Sequence, residues 1–276
     1  MITASTDLYC VLGNPVSHSQ SPLVHNISLK ENHINAVYLA FEPLDIGMAV
    51  RSIRTLNIKG ASITIPFKES IMAHLDEIDS QAREIGAVNT VVNQNGRLLG
   101  FNTDSKAAID PLLSHGIKDK TICIIGAGGA ARALAHGISN HGGNLLVTNR
   151  SPQKGAALAK KFNGRFIPMD RLETVKAHVV INTTSLGMHP DHGEALPFPA
   201  QSLRAGMVVM DVVYTPINTK FLTIAQEKGC ITIDGLSMFV AQAAAQFELW
   251  TGLKPDLIPM RNAVLKHHTR LPKGHH

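Results

Sequence analysis

A glycine-rich turn between a buried strand and a helix is the feature that most constrains this chain. The stretch TICIIGAGGAAR, residues 121–132, runs from a continuous apolar segment, typical of a strand buried on both faces, into a helix. Gly126, Gly128 and Ala131 have the spacing G-x-G-x-x-A. The first glycine allows a tight turn, the second lets the backbone approach a pyrophosphate, and the small third residue lets the helix pack on the strand. The strand–turn–helix context predicts dinucleotide binding, whereas the letters alone would also fit a structural glycine turn.

The end of the next strand bears on which dinucleotide binds. A carboxylate there would accept hydrogen bonds from the ribose 2′-OH of NAD, but the chain reads TNRSPQK. Asn149, Arg150, Ser151 and Lys154 are donors, and Arg150 could hold a 2′-phosphate through two charge-assisted hydrogen bonds. These residues predict NADP rather than NAD. The structural alternative is a polar turn in which Ser151 caps the following helix.

The order of predicted elements indicates two domains. After Asp104 strands and helices alternate strictly, which predicts a parallel, doubly wound sheet. The predicted class is therefore α/β, with a substrate-binding domain at 1–104, completed by C-terminal helices at 236–276, and a Rossmann-type domain at 105–235. No internal repeat and no low-complexity linker interrupts this order.

Within the first domain, local signals predict individual elements. Two β-branched runs flank Asn95-Gly96, which is a strong hairpin signal. The stretch SPLVHNISLKENH predicts a helix with Ser21 at the N-cap and Pro22 at the first helical position. The stretch IMAHLDEI predicts a second helix.

Composition excludes several other classes. The 276 residues are 44% hydrophobic and 17% charged, with a mean hydropathy of +0.06, which suits a soluble protein with a substantial core. The net charge of +5 is dispersed, which favours small anionic ligands over nucleic acid. Three scattered cysteines, no signal-peptide pattern and no 18-residue apolar run predict a cytoplasmic protein without a membrane span. The histidines lack partners at ligand spacing, so no metal site is expected.

Two serines precede the first predicted helix. Ser17 and Ser19 are two residues apart, so in extended backbone they face the same way. Two hydroxyls beside the positive end of a helix could hold a carboxylate. The alternative is a solvated loop whose serines only cap that helix.

A strand end and a hairpin contribute further polar residues. Thr64 and Lys68 flank the end of the strand ASITIP, and Asn89 and Asp104 bracket the predicted hairpin. Hydride transfer to a carbonyl generates an alkoxide that must be protonated, and a lysine held by an aspartate could supply that proton. Lys68 and Asp104 are therefore the candidate catalytic pair. Taken alone, Lys68 would more often be a solvated charge at a strand edge.

The chain resembles the shikimate dehydrogenases in motifs spread over nearly its whole length. These motifs are LGNPVSHSQSP, TIPFK, GAVNT, NTD, GAGGAAR, NRS, DVVYTP and DGLSMFVAQAAAQFELWTG. The resemblance implies NADPH-dependent reduction of 3-dehydroshikimate to shikimate, in the pathway to chorismate and the aromatic amino acids. It also implies two domains with a cleft that closes over the ligands, and a monomer or homodimer.

Residue roles are carried over by the same resemblance. Ser17 and Ser19 would hold the substrate carboxylate, and Lys68 and Asp104 would be catalytic. The residues implied to bind ring hydroxyls, or to lie near them, are Thr64, Asn89, Asp104, Gln242 and Tyr214. The residues implied to hold the cofactor are Gly126, Ala127, Gly128, Gly129, Ala130, Asn149, Arg150, Ser151, Lys154, Val212 and Gly235.

One departure from the family pattern concerns Ser62, where most members have asparagine. Because serine is shorter, one polar contact in the cleft is expected to be lost or replaced by water. Two rival functions remain open. One is a paralogue that acts on quinate or an amino analogue and could use NAD, and the other is a non-catalytic sensor of pathway metabolites.

Overall fold

The protein folds into two compact units in a computed structural model that describes residues 2–189 and 192–270, with side chains described up to residue 267. The first unit comprises Met1–Thr103 and Val240–His276, and the second comprises Asp104–Phe239. The end of the C-terminal segment expected at 236–276 therefore lies outside the described residues. No helix of the described part is long and apolar enough to span a bilayer.

The first unit contains a six-stranded mixed sheet in the order β2-β1-β3-β5-β6-β4. Its strands are β1 (Asp7–Leu12), β2 (Ala36–Phe41), β3 (Gly60–Ile63), β4 (Glu77–Ile78), β5 (Thr90–Gln94) and β6 (Arg97–Phe101). β1 lies parallel to both β2 and β3, whereas β5 runs antiparallel to β3 and β6. Because β1 and β3 are parallel neighbours, the loops that follow them leave the sheet at the same end, beyond the carboxyl ends of both strands.

The hairpin prediction is confirmed. β5 and β6 pair from Thr90↔Phe101 to Gln94↔Arg97. The two residues between the strands, Asn95 and Gly96, both have positive φ, 54° and 91°. This is the conformation that a two-residue turn of matching twist requires, and asparagine and glycine adopt it at the least cost.

The helices of the first unit correct two predictions. They are α1 (Ser21–Glu31), α2 (Ile46–Thr55) and α3 (Ser80–Ile85). Ser21 is the first residue of α1 rather than its N-cap, which is Gln20 and makes no side-chain capping bond. The helix predicted at IMAHLDEI is wrong, because Ser70–His74 forms a 3-10 helix and Glu77–Ile78 joins the sheet as β4. Backbone pairing to β6 overrides the weak helical periodicity of that stretch.

The outer edge of the sheet is protected at β2. Asn26 on α1 donates from Nδ2 to the carbonyl of Tyr38 at 2.8 Å and accepts the N–H of Tyr38 at Oδ1 at 2.9 Å. Both backbone groups that Tyr38 would offer to another strand are thus bonded already. A side chain that occupies an edge in this way discourages pairing with a second sheet.

The second unit is a parallel sheet in the order β12-β11-β10-β7-β8-β9. Its strands are β7 (Thr121–Ile125), β8 (Asn144–Thr148), β9 (Arg165–Phe166), β10 (Val179–Asn182), β11 (Val208–Asp211) and β12 (Ile231–Ile233). In chain order within this unit the arrangement is 6-5-4-1-2-3, the doubly wound Rossmann topology. The predicted class is therefore confirmed. In such sheets ligands bind where the strand order reverses, here between the carboxyl ends of β7 and β10.

The helices of the second unit are α4 (Asp104–Leu113), α5 (Gly129–Asn140), α6 (Pro152–Lys161) and α7 (Lys220–Glu227). The sequence analysis did not predict α4, whose interior contains Pro111. Two C-terminal helices follow, α8 (Gly235–Thr251) and α9 (Leu257–Arg270). The part of α8 from Val240 onward belongs to the first unit.

Candidate active site

The two serines predicted to bind a carboxylate lie on the loop after β1. Ser17 is exposed and Ser19 is half-buried. Ser19 Oγ accepts the N–H of Ser21, the first residue of α1, at 3.3 Å. Glu42 Oε1 accepts the N–H groups of Val16 and Ser17 at 2.6 and 2.9 Å, and these bonds lower the pKa of Glu42. The loop from Val16 to Ser19, the serine loop, is therefore held by Glu42 at its start and by the bond to Ser21 at its end.

The serine loop and the turn after β3 are in contact. Thr64 N donates to Leu12 O and Asn14 N donates to Ile65 O, each at 2.9 Å. A Cβ built on Gly13 would stand 2.3 Å from Thr64 Cγ2. Position 13 therefore requires glycine, because the loop backbone passes directly over the threonine side chain. The predicted carboxylate-binding loop and Thr64 therefore lie directly against each other.

Lys68 lies on the same turn. Phe67 N donates to Thr64 O at 2.9 Å, which closes the turn, and Lys68 follows it half-buried. The carbonyl of Lys68 accepts the N–H of Val88 at 2.8 Å, so Lys68 lies beside the segment that begins with Asn89. The structure thus brings together three chain segments that are separate in the sequence.

Asn89 is buried and its side chain is hydrogen-bonded to neighbouring hydroxyl and backbone groups. Its Oδ1 accepts from Thr90 Oγ1 and from Thr103 N, each at 2.8 Å, and its Nδ2 donates to Thr103 Oγ1 at 2.9 Å. Thr103 directly precedes Asp104, the first residue of α4, which is buried. The hairpin therefore joins Asn89 to the residue before Asp104, as the sequence predicts.

Ser62 is hydrogen-bonded on both sides within the protein. It is buried, accepts from Tyr38 OH at 2.6 Å and donates to Gln246 Oε1 at 2.7 Å. Its effect on polar contacts in the cleft stays a prediction. Sequence analysis missed Gln246, although its spacing of four residues from Gln242 and Trp250 places all three on one helix face.

The glycine turn of the second unit has the geometry expected for pyrophosphate binding. Gly126 has φ of +121°, and a Cβ there would stand 2.3 Å from Thr183 Oγ1 at the end of β10. Gly128 precedes α5, and a Cβ there would contact no protein atom within 4 Å. Packing thus explains the glycine at 126, whereas the bare backbone at 128 faces open space. Ala131 is fully buried, as close packing of helix on strand requires.

The predicted adenosine-phosphate residues lie at the end of β8 and the start of α6. Asn149 Nδ2 donates to Ser151 O at 3.0 Å, which shapes the turn. Ser151 occupies the N-cap position of α6 but makes no side-chain capping bond. Arg150 and Lys154 are exposed. The donor set, without a carboxylate, fits a 2′-phosphate better than a free 2′-hydroxyl.

Val212, Tyr214 and Gly235 lie together beyond β11. A Cβ on Gly235 would stand 2.5 Å from the carbonyl oxygen of Val212. Only glycine therefore allows α8 to begin so close to the backbone of β11. The ring of Tyr214 stacks on Phe239 with centroids 4.3 Å apart.

A buried carboxylate supports this segment from behind. Asp211 is fully buried and accepts hydrogen bonds from Val213 N, Thr219 Oγ1 and Asn182 Nδ2 at 2.8–3.0 Å. Burial raises its pKa to about 6, against the opposing effect of these donors. Asp211 thereby fixes the backbone on either side of Val212. The sequence analysis did not single it out.

The described residues contain no group of three or more His, Cys, Asp and Glu side chains suited to a metal ion. The fold and these residues are those of an oxidoreductase. A Rossmann dinucleotide-binding unit is combined with an α/β unit in which hydroxyl, amide and lysine groups lie close together at one end of the sheet.

Comparison with known proteins identifies the family. Residues 11–91 match the shikimate dehydrogenase substrate binding domain, residues 235–265 the shikimate 5'-dehydrogenase C-terminal domain, and residues 121–214 the family described as NADP oxidoreductase, coenzyme F420-dependent. The chain is 43% identical to the shikimate dehydrogenase (NADP(+)) of Pyrococcus furiosus over 96% of this chain and 97% of that protein. The chain belongs to the shikimate dehydrogenase family.

Solved structures agree. The shikimate 5-dehydrogenase of Thermus thermophilus, in complex with NADP(H) and shikimate, is 37% identical with a TM-score of 0.85, covering 95% of this chain and 99% of that one. A quinate dehydrogenase of Corynebacterium glutamicum, in complex with NAD, is 31% identical with the same TM-score, covering 95% and 99%.

Proposed function

We propose that this protein is an NADP-dependent shikimate dehydrogenase that interconverts 3-dehydroshikimate and shikimate in the pathway to chorismate and the aromatic amino acids. The observation that carries the proposal is that Ser17, Thr64, Lys68 and Asn89 lie on segments that meet at one end of the first unit's sheet. The chain that brings them together belongs to the shikimate dehydrogenase family. The unit 1–103 with 240–276 would bind substrate, and the unit 104–239 would bind NADP.

The substrate site would use hydroxyl and amide groups. The hydroxyls of Ser17 and Ser19 would donate to the substrate carboxylate, in a loop already held in place by Glu42. Residues proposed to contact the ring hydroxyls are Thr64, Asn89, Asp104 and Gln242, with Tyr214 nearby. NADP would supply or accept the hydride at the ring carbon.

The proton would be handled by Lys68. In the direction of reduction its ammonium group would protonate the alkoxide that forms as the carbonyl is reduced, and in oxidation its neutral amine would accept the hydroxyl proton. Asp104 would favour the charged lysine and orient the substrate hydroxyl. The position of Asp104 directly after Thr103, which is bonded to Asn89, supports this assignment.

The cofactor would be held by residues of the second unit. The backbone from Gly126 to Ala130 would receive the pyrophosphate, supported by the open space at Gly128. The residues from Asn149 to Lys154, Arg150 foremost, would bind the 2′-phosphate. Val212 and Gly235 would lie at the nicotinamide end.

A matrix of two substrates and two cofactors tests the proposal. We expect purified protein to oxidise shikimate with NADP⁺ at higher kcat/KM than quinate with either cofactor. Similarity to a quinate dehydrogenase makes NAD-linked quinate oxidation the second candidate, and a higher kcat/KM for that pair would replace the first. Tight binding of shikimate without any NADPH oxidation on 3-dehydroshikimate would instead indicate a sensor. Light scattering distinguishes the monomer from the homodimer, both of which fit the proposal.

A further inference from the structure

Helix α8 crosses the sheet of the first unit in register with β3. The indole of Trp250 lies on Gly60 and its Nε1 donates to Val91 O at 2.9 Å. One helical turn earlier, Gln246 reaches Ser62. Four residues of helix advance about 6 Å and two residues of strand about 6.7 Å, so the two repeats match. The next turn of the same helix face carries Gln242.

A one-way chain of hydrogen bonds runs through this contact. Tyr38 OH donates to Ser62 Oγ, and Ser62 Oγ donates to Gln246 Oε1. Gln246 Nε2 then donates to Thr90 Oγ1 at 3.1 Å and to Asn89 O at 3.0 Å. Since Thr90 Oγ1 receives this bond, its own proton is directed to Asn89 Oδ1 at 2.8 Å.

All members of the chain are buried. Tyr38, Ser62, Asn89, Thr90 and Gln246 are each at most 5% exposed. Solvent therefore cannot replace a partner that is lost from the chain. The direction of every bond is fixed by the two ends of the Gln246 amide.

We propose that Gln246 is a positioning residue of the substrate site, which acts through Thr90 and sets the orientation of the Asn89 amide. This rests on the proposed function, in which Asn89 binds a ring oxygen. Asn89 Oδ1 has both lone pairs occupied by Thr90 Oγ1 and Thr103 N. These two donors hold the amide oxygen of Asn89 towards Thr90 and Thr103, so the side chain keeps one orientation.

The test compares Gln246→Met with Trp250→Phe in the full-length protein. Methionine matches glutamine in length but donates no hydrogen bond, so Asn89 and Thr90 lose their common donor. We expect the KM for shikimate to rise about tenfold, as for one lost hydrogen bond in a buried site, while the KM for NADP⁺ is unchanged. Trp250→Phe removes a different bond between the same helix and the same hairpin, and should lower the melting temperature without changing either KM.

A second pair of variants keeps the test decisive if Gln246→Met does not fold. Thr90→Val removes the hydroxyl that donates to Asn89 and should reproduce the selective rise in the KM for shikimate. Thr90→Ser retains the hydroxyl and should restore the wild-type value.

Each unfavourable result has a distinct meaning. If the wild-type protein does not oxidise shikimate, the proposed function fails and the inference fails with it. If the wild type is active but Thr90→Val or folded Gln246→Met has the wild-type KM, the inference alone is overturned. An equal rise in KM for Trp250→Phe would also overturn it, because helix docking in general would then be the cause.

Discussion

The indole of Trp250 lies against Gly60, so closely that a Cβ at position 60 would stand 2.3 Å from Nε1. This contact packs α8 against β3, the strand that leads into the turn with Thr64 and Lys68. It also explains why a glycine, which weakens a strand, is tolerated at the start of β3.

Gly60→Ala should destabilise the protein by about 1–3 kcal/mol, because the added methyl group forces the indole away from the strand. Urea unfolding followed by circular dichroism measures the loss. In a Trp250→Leu background the same substitution should cost much less, since the side chain that it strikes is gone. Equal costs in the two backgrounds would show that the contact does not limit packing.

Lys68→Met should lower kcat for shikimate oxidation by roughly 10²–10⁴-fold, the range for loss of a general acid–base group. Methionine retains most of the side-chain length, so the melting temperature should change little. Steady-state kinetics at saturating NADP⁺ measure the effect. A variant with wild-type turnover would remove Lys68 from the mechanism.

Arg150→Gln should raise the KM for NADP⁺ by roughly 10- to 100-fold, because it removes charge-assisted hydrogen bonds to the 2′-phosphate. The KM for NAD⁺, which lacks that phosphate, should stay within about twofold for want of such bonds. Lys160→Gln, at the opposite end of α6, is the matched control for loss of one exposed positive charge. A parallel rise for both cofactors would argue against phosphate recognition.

Asp211→Asn should change how stability depends on pH. The pKa of Asp211 is raised from 3.8 to about 6, so the folded state holds a proton that the unfolded state releases, and stability is lost as pH rises through this window. The wild type should therefore lose about 3 kcal/mol relative to the variant between pH 4 and pH 7.

Urea unfolding of both proteins at several pH values checks this. Asparagine can keep the bonds from Asn182 and Val213 at Oδ1 and donate from Nδ2 to the hydroxyl oxygen of Thr219, so the variant should fold. Stability profiles that differ by a constant amount across this range would contradict the raised pKa.

Much of the fold could be predicted from local signals. The strand TICIIG, its glycine turn and the helix after it are specified by residues adjacent in the chain, and the Asn95-Gly96 hairpin likewise. The IMAHLDEI stretch failed because its state is set by a partner: Glu77 and Ile78 pair with β6, which lies twenty residues further on.

The candidate site shows the same division. Ser17, Thr64, Lys68 and Asn89 were identified in the sequence from their chemistry and their motifs. The two loops that carry the first three residues meet because β1 and β3 are parallel neighbours, and Asn89 lies beside them because β5 pairs antiparallel with β3. The hydrogen bonds of Ser62 could not be predicted from the sequence, because its partner Gln246 lies 184 residues away.

The sequence by itself determined which local elements form and which chemical groups the chain possesses, because helix, strand and turn preferences depend on near neighbours. Only the tertiary structure decided how the buried groups are paired. A buried donor or acceptor must find a partner wherever the packed fold places one, and that choice brought Gln246 to Ser62 and surrounded Asp211 with three donors.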